Sequence, residues 1–592
     1  MKRLLALALL CAVSAVSAAP ASAPPAIQPS PFGIDGLKPR FGKDLPNLWT
    51  VEDELANYMT DAGLRWDRAI IQWDDVQPDV SKPFDWTFTD RMAKVYGQRP
   101  ISAYCLLMGR PSSWKANPHT PEERAQFADF VYETVKRYKG TFRVWEIWNE
   151  PNIPAFWNPP SAEDYAALLK ASYAAAKRAD PTCTVLSGGT SGVDLGWIRR
   201  VLFEQGGWDA CDAVAIHPYS MGGGPDSQGL SQLLRMTRAA AAKGGVSKPI
   251  WITEVGWTTD TTPQSELRQA EYIDQEYCIA LANGVVKTFW FTMGDWSERW
   301  GIIAGKDNTP DWGFTSTKRP KPAYYALKHL TEALTPSGKR PTFLGYLPNA
   351  KGATAMAFLA DGDPKQPVAV LWSPFGEKRV LAMPQATGLH ALDAHGKTVT
   401  SLDGNVMVTE VPIIVTGFQP GALKSASKAA DPSVRKPSVN LLRNGDMERP
   451  DDGGDVAFWN HGAFPNGGKD GKTEWLTGGR GLGRALSVSA AKDAAWSGVP
   501  VPVQPGKAYT LKVWAKPTAA AGENKAIIAW YRGDMWGWLS QAESEPVEGT
   551  GDWREITVTA KPPEDAVFAR IVFTSKDNPG AILWDDAALT EG

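Results

Sequence analysis

Two glutamates in this chain stand where a strand stops. Val144-Trp145-Glu146-Ile147-Trp148-Asn149-Glu150-Pro151-Asn152 reads as a short apolar strand ending in an amide, a carboxylate and a proline. Branched and aromatic residues suit strands. Pro151 has no N–H for a central ladder, so Asn149 and Glu150 are presented at the strand's carboxyl end. Pro249-Ile250-Trp251-Ile252-Thr253-Glu254-Val255-Gly256-Trp257 repeats the design with Glu254. If both strands belong to one α/β barrel, the two carboxyls face the same mouth. One could then protonate a leaving oxygen while the other attacks an anomeric carbon, which is glycosidic cleavage. A gap of about 5–5.5 Å between them suits retention of configuration, and roughly 6.5–9.5 Å suits inversion.

Neighbours can be assigned by chemical type. The Asn149 amide could hold a sugar hydroxyl. Arg68 could keep a nearby carboxylate ionised. His217 and Tyr219 close a strand and could bind substrate or orient Glu254, and Trp290 offers a flat face for a sugar ring. Each has a plainer alternative. A glutamate after a strand is usually solvated, but the matched contexts of Glu150 and Glu254 favour chemistry. Glu146 lies inside its strand and reads as a buried carboxylate paired with Arg65 or Arg68. Asp295 reads as a turn carboxylate. His217 could be a core histidine and Trp290 core packing. Trp114, Trp157, Trp296 and Trp300 fall in strand-to-helix loops, where some should line a cleft.

These residues need a scaffold. Strands are predicted at Phe32–Gly36, Leu64–Trp73, Ile101–Met108, Phe142–Asn149, Thr184–Gly188, Ala213–Tyr219, Ile250–Val255 and Val286–Thr292. Helical patterns alternate with them. Pro121–Tyr138 has Pro in its first turn and acids near its positive end. Ala162–Arg178 follows Ser161 as N-cap. Gln264–Ala282 runs into the stop signal Asn283-Gly284, and Pro322–Leu334 closes the series. This alternation predicts a (β/α)8 TIM barrel over 30–338. The rival, a doubly wound open sheet, lacks both GxGxxG and a P-loop. Short alternating segments then predict a small β-sandwich over 339–419 packed on the barrel. A linker rich in Ala, Ser, Lys and Pro follows over 420–438. Strands Ala485–Val488, Tyr509–Trp514, Ala526–Trp530, Arg554–Thr559, Ala569–Phe573 and Ala581–Trp584 predict a jelly-roll β-sandwich over 439–592.

The 592 residues exceed one core, in keeping with several domains. A net charge of -3 and no basic run beyond the first residues argue against nucleic acid. The 26 Trp lean toward carbohydrate, because indole stacks on the C–H face of a sugar. Lys2 and Arg3, an apolar run from Leu4 to Val13 and small residues to Ala18 read as a signal peptide over 1–18, so the protein is expected in the extracellular space or periplasm. Leu10 before Cys11 argues against a lipobox. No other apolar run is long enough to span a bilayer. Of the remaining cysteines, Cys183 and Cys211 start neighbouring strands and could form a disulfide. Cys105 reads as a buried hydrophobe and Cys278 as a helix residue, and the spacing gives no zinc site.

Gly63-Leu64-Arg65-Trp66-Asp67-Arg68 with Trp73, Trp145–Asn152, Ile216-His217-Pro218-Tyr219 and Trp251–Trp257 together resemble the retaining β-glycosidases of glycoside hydrolase clan A. Family 39 and its relatives are most similar, over roughly residues 30 to 420. The resemblance implies double displacement with Glu150 as acid/base and Glu254 as nucleophile, without metal or cofactor. It implies that Asn149 binds the hydroxyl next to the anomeric carbon and that Arg68 and Tyr219 support the nucleophile. Gln77-Pro78 stands where the family often has Glu-Pro, which puts the subfamily in question. The C-terminal unit resembles carbohydrate-binding jelly rolls through Asn440–Glu448 and Ile582–Ala587. Such modules often hold a structural calcium, making Glu448 and Asp586 candidates. Trp530-Tyr531-Arg532 and Trp536-Gly537-Trp538 could supply a stacking platform or pack inside. Two other readings compete: a non-catalytic carbohydrate-binding barrel, and a transglycosylase using the same carboxylates.

Overall fold

The computed structural model describes residues 29–592 apart from 38–47, 112–113, 115–116, 220–223, 227–228, 260–262, 296–298, 305–318, 374–377, 385–387, 401–403, 431–439, 443, 449, 451–454, 457, 464–466, 505, 532–537 and 567. For 48, 51, 263, 264 and 502 it describes the backbone alone.

Eight parallel strands form the central sheet. They are β1 (Phe32–Ile34), β2 (Trp66–Gln72), β3 (Ser102–Met108), β4 (Val144–Ile147), β5 (Thr184–Ser187), β6 (Val214–His217), β7 (Ile250–Val255) and β8 (Lys287–Trp290). Each lies within or matches its predicted segment. β1 pairs with both β2 and β8, and the pairing continues from β2 to β5 and from β8 to β6. The ring closes where Leu186 bridges Ala213 and where residues 190–191, beyond β5, pair with 216–217. Helices α1 (Leu48–Asp61), α2 (Thr87–Gly97), α3 (Pro121–Tyr138), α4 (Ala162–Ala179), α5 (Leu195–Arg199), α6 (Leu230–Ala240), α7 (Pro263–Ala282) and α8 (Pro322–Leu334) complete a TIM-like barrel.

Local chemistry sets these boundaries. Thr120 and Glu123 form a reciprocal capping box at the start of α3. Ser161 Oγ accepts the Asp164 N–H at the start of α4. Gly284, at φ +73°, provides the left-handed residue that ends α7.

Strand alternation sorts the side chains. Trp66, Tyr104, Val144, Leu186, Ala213, Ala215, Trp251 and Phe289 fill the barrel interior as one buried cluster. Outward residues of the same strands, such as Ala69, Ile71, Cys105, Trp145 and Val185, pack against the helices.

After α8, β9 (Thr342–Tyr346), β10 (Thr354–Leu359), β11 (Pro367–Trp372), β12 (Arg379–Ala382), β13 (His390–Asp393), β14 (Asn405–Val408) and β15 (Ile413–Thr416) pair antiparallel as a five-stranded sheet and a separate β12–β14 pair. Trp372 Nε1 donates to Asp226 Oδ2 at 3.0 Å, and His395 Nε2 meets Glu271 Oε1 at 2.8 Å, tying this module to the barrel.

The C-terminal unit contains β16 (Trp459–His461), β17 (Lys469–Thr477), β18 (Arg484–Gly498), β19 (Tyr509–Thr518), β20 (Glu523–Tyr531), β21 (Trp538–Glu543), β22 (Arg554–Ala560) and β23 (Phe568–Glu591), all paired antiparallel. Its own core includes Val488, Trp496, Ile528, Trp530, Phe573 and Trp584. Trp530 and Tyr531 are buried, so they are not the stacking platform that the sequence suggested. The two face opposite ways: Ala526, Ile528 and Trp530 join the unit's core, while Ile527, Ala529 and Tyr531 join the cluster that contains the barrel. Trp538 is exposed, and Arg532, Trp536 and Gly537 lie outside the described residues. All four described cysteines, Cys183 and Cys211 among them, are free thiols.

Candidate active site

The barrel carries a polar layer above its apolar one. Arg68, Glu146, His217 and Thr253 each stand two residues beyond an interior residue: Trp66, Val144, Ala215 and Trp251. Period two therefore turns all four inward at the carboxyl ends of their strands, where barrels place their sites. Each is almost fully buried.

Glu150 and Glu254 meet over this layer. One carboxylate oxygen of each, together with a His217 ring nitrogen, lies within 4.8 Å of the other two. The Tyr219 hydroxyl donates to Glu254 Oε1 at 2.7 Å, and Arg68 Nη1 binds Glu254 Oε2. Arg68 Nη2 donates to Asn149 Oδ1 at 2.7 Å, and Nη1 lies 3.5 Å from Asp35 Oδ2. One guanidinium thus spans Glu254 and the amide beside Glu150. Arg65 instead donates to the Thr60 and Leu64 carbonyls, away from the site. Burial and the neighbouring Glu254 push the Tyr219 phenol well above its ordinary range, so it stays a donor.

His217 Nδ1 meets Glu150 Oε1 at 2.9 Å, and its Nε2 meets Thr253 Oγ1 at 3.0 Å. Burial opposes the charged ring, but Glu254 and Glu150 outweigh it, and the His217 pKa is raised. Thr253 Oγ1 donates to Glu146 Oε1 at 3.0 Å, which also accepts the Gly189 N–H at 2.8 Å. Glu146 is therefore held by a hydroxyl and an amide, and Arg68, one of its expected partners, acts on it through charge rather than through a hydrogen bond. The glycines after β5 make room for this. A Cβ on Gly189 would stand 2.2 Å from His217 Nε2, and one on Gly188 2.6 Å from the Trp148 carbonyl.

The strand end itself is strained. Trp148 and Glu150 have φ of +70° and +40°, each a conformation that costs roughly 1–2 kcal/mol outside glycine. The Trp148 N–H to Leu107 O and Glu150 N–H to Gly189 O bonds, both 2.9 Å, hold it.

Other expectations are corrected. Trp290 is fully buried and stacks on Trp257 at 5.5 Å, so in this state it offers no face to a sugar. Half-buried Trp300 stands edge-on at 5.4 Å to Tyr219, which binds Glu254. Trp157 is core, Trp114 packs on Trp73, and Trp296 lies outside the described residues. Asp295 is a structural carboxylate that binds Lys321 at 2.8 Å. Gln77 accepts from Trp73 Nε1 at 2.9 Å. Glu146 and Thr253 are the site residues that residue type alone missed, and alternation from Val144 and Trp251 is the signal that finds them.

The Glu150–His217–Glu254 trio also has the spacing of a metal centre. The guanidinium already on Glu254 disfavours a cation there, because like charges repel. In the C-terminal unit Asp586 pairs with Arg480 at 2.6 Å and Glu448 accepts the Arg484 N–H at 2.8 Å. Between them Asp585 is pushed up to about 7, by burial first and then by Asp586 and Glu448.

The glycosyl hydrolase catalytic core family matches residues 132–313, a stretch that holds both carboxylates. A β-xylosidase of Geobacillus stearothermophilus is 25% identical over 177 residues, 27% of this chain and 35% of that relative. The aligned stretch thus spans about a third of the curated relative's length. A family 39 glycoside hydrolase from Bacteroides cellulosilyticus WH2 superposes with a TM-score of 0.51 at 20% identity, covering 66% of this chain and 81% of that one. The family 39 enzyme of Xanthomonas axonopodis pv. citri gives 0.44 at 14% identity, over 93% and 95% of the two chains. Residues 132–313 match the glycosyl hydrolase catalytic core, and the chain resembles the clan A glycoside hydrolases, family 39 among them.

Proposed function

We propose that this protein is a retaining β-glycosidase acting on a polysaccharide or oligosaccharide. The observation that carries the reading is the close approach of Glu150 and Glu254, whose carboxylate oxygens come within 4.8 Å. That approach favours the shorter separation of a retaining pair, about 5–5.5 Å, over the roughly 6.5–9.5 Å of an inverting one. Glu254 attacks the anomeric carbon while Glu150 protonates the leaving oxygen. Glu150 then takes a proton from the water that releases the sugar from Glu254. Arg68 and Tyr219 hold both Glu254 oxygens and keep the nucleophile ionised and aimed. With its oxygen on Arg68, Asn149 would turn its NH2 toward the hydroxyl beside the anomeric carbon.

In the same proposal residues 1–18 are a signal peptide for export. Residues 30–338, 339–419 and 439–592 are then the barrel, the small β-sandwich and the jelly roll, with 420–438 as the linker before the last. The resemblance of the C-terminal unit to calcium-holding jelly rolls keeps Glu448 and Asp586 as calcium candidates, and binding would require Asp586 to leave Arg480. Calcium takes oxygen donors of this kind.

Glu254→Ala is expected to abolish turnover of an activated aryl β-glycoside, with azide restoring it as a glycosyl azide of inverted configuration. Glu150→Ala is expected to lose less on good leaving groups than on unactivated glycosides. Full activity of Glu254→Ala overturns the nucleophile assignment. Glycan binding without cleavage on a broad panel favours a binding barrel. Net transfer to a sugar acceptor rather than to water favours a transglycosylase.

A further inference from the structure

The chain of bonds beneath Glu150 has a direction. Glu146 Oε1 accepts from the Gly189 N–H and from the Thr253 hydroxyl. Thr253 has a single hydroxyl hydrogen, now committed to Glu146, so its oxygen accepts from His217. His217 Nε2 therefore carries a hydrogen. A neutral ring then presents a lone pair at Nδ1, which faces Glu150 Oε1 at 2.9 Å. A lone pair and a carboxylate oxygen do not meet at that distance without a hydrogen between them.

We propose that Glu146, acting through Thr253, is a positioning residue that fixes His217 as its Nε2–H tautomer and thereby keeps one proton in the Glu150–His217 pair. This rests on Glu150 being the acid/base of the proposed glycosidase. The pair enters the reaction with the proton on Glu150 as a carboxylic acid or on Nδ1 as an imidazolium. In the first step that proton goes to the glycosidic oxygen as the C–O bond breaks and the bond to Glu254 forms. The pair is left as a carboxylate facing a lone pair. That contact is relieved when the pair takes a proton from water, as the water oxygen bonds to carbon and the ester to Glu254 breaks. One proton leaves and one returns, so the device that arms the acid also drives the base.

The groups facing His217 agree with this. Glu150 and Glu146 reach it from the turn after β4 and from β4, Glu254 from β7 and Arg68 from β2, with Tyr219 from beyond β6 bound to Glu254. The carboxylates outweigh burial and Arg68, so the ring holds a proton more firmly than an ordinary histidine. Burial pushes Glu146 up as well. Oε1 already accepts two hydrogen bonds and Oε2 none among the described residues, so a proton goes to Oε2 and leaves the polarity of the relay unchanged. Gly189 lets the imidazole sit in this line, since a Cβ there would stand 2.2 Å from Nε2.

Thr253→Val removes the relay hydroxyl at nearly constant shape, and Thr253→Ser restores it. On aryl β-glycosides that the wild type cleaves, Thr253→Val is expected to lower kcat/KM about 10–100-fold for poor leaving groups and much less for good ones. The basic limb of its pH–rate profile should move to lower pH, because an imidazolium without its acceptor releases its proton sooner. Thr253→Ser should recover both properties. In 15N-histidine-labelled protein, with the His217 signals assigned by their loss in His217→Gln, Nε2 is expected to carry the hydrogen above the basic limb. An Nδ1–H tautomer there, or a Thr253→Val enzyme with the wild-type pH profile and leaving-group dependence, overturns the inference. If the wild type cleaves no β-glycoside, the glycosidase reading fails, and the tautomer measurement still decides the relay.

Discussion

At the scale of single residues, Glu254 is held by two donors of different kinds. Arg68 supplies charge and also fixes Asn149, so its loss would disturb several things at once. Tyr219 supplies one hydroxyl to one oxygen and is the cleaner probe. Tyr219→Phe is expected to lower kcat about 100-fold at unchanged Tm, at the lower end of the range for a lost oriented donor. An unchanged kcat would mean that the hydroxyl does not orient the nucleophile. Much of this constellation was legible from residue type and motif: the two carboxylates, the preference for Arg68 over Arg65, and the contact of Tyr219 with Glu254. Glu146 was legible as buried but not as part of the site. Motif reading attends to residues at strand ends, whereas Glu146 and Thr253 act from within their strands, and only the count from the apolar layer turns them inward. Trp290 failed as a stacking face because Trp257 covers it, a contact made through a loop.

At the scale of elements, the strands were legible because each couples an apolar run to a polar stop, and helices α3 and α8 match their predicted spans. The path after β5 was not. There the chain forms a two-residue strand at 190–191, a five-residue α5 and a π-helical turn at Arg200–Glu204, none of which has a propensity signature. Helix α7 carries an unusual burden. Glu276 is fully buried, neither of its oxygens has a hydrogen-bond partner among the described residues, and burial raises its pKa to about 8. The folded state therefore binds a proton that the unfolded chain, titrating at about 4.3, gives up. Stability from this group is fully present below that unfolded value and falls as pH rises toward 8. Glu276→Gln is expected to raise Tm at pH near 8 and to leave it nearly unchanged near pH 4. An equal effect at both would contradict this.

At the scale of the whole molecule, one buried apolar cluster runs from the barrel through the small β-module to one face of the C-terminal unit. Both faces of β20 are buried, so that part of the unit packs as a brace on the rest of the chain. Composition and strand spacing indicated an all-β unit; its docked face was hidden because Ile527, Ala529 and Tyr531 simply continue an apolar run. If calcium sits among Glu448, Asp585 and Asp586, a chelator should lower the Tm of the C-terminal transition and added calcium should restore it. An indifferent Tm would remove calcium from the proposal. The central claim is that Glu150 and Glu254 act by double displacement. It is tested most directly by following hydrolysis of a cleavable aryl β-glycoside by 1H NMR before mutarotation. The β-anomer is expected as the first-formed sugar; first formation of the α-anomer would contradict double displacement.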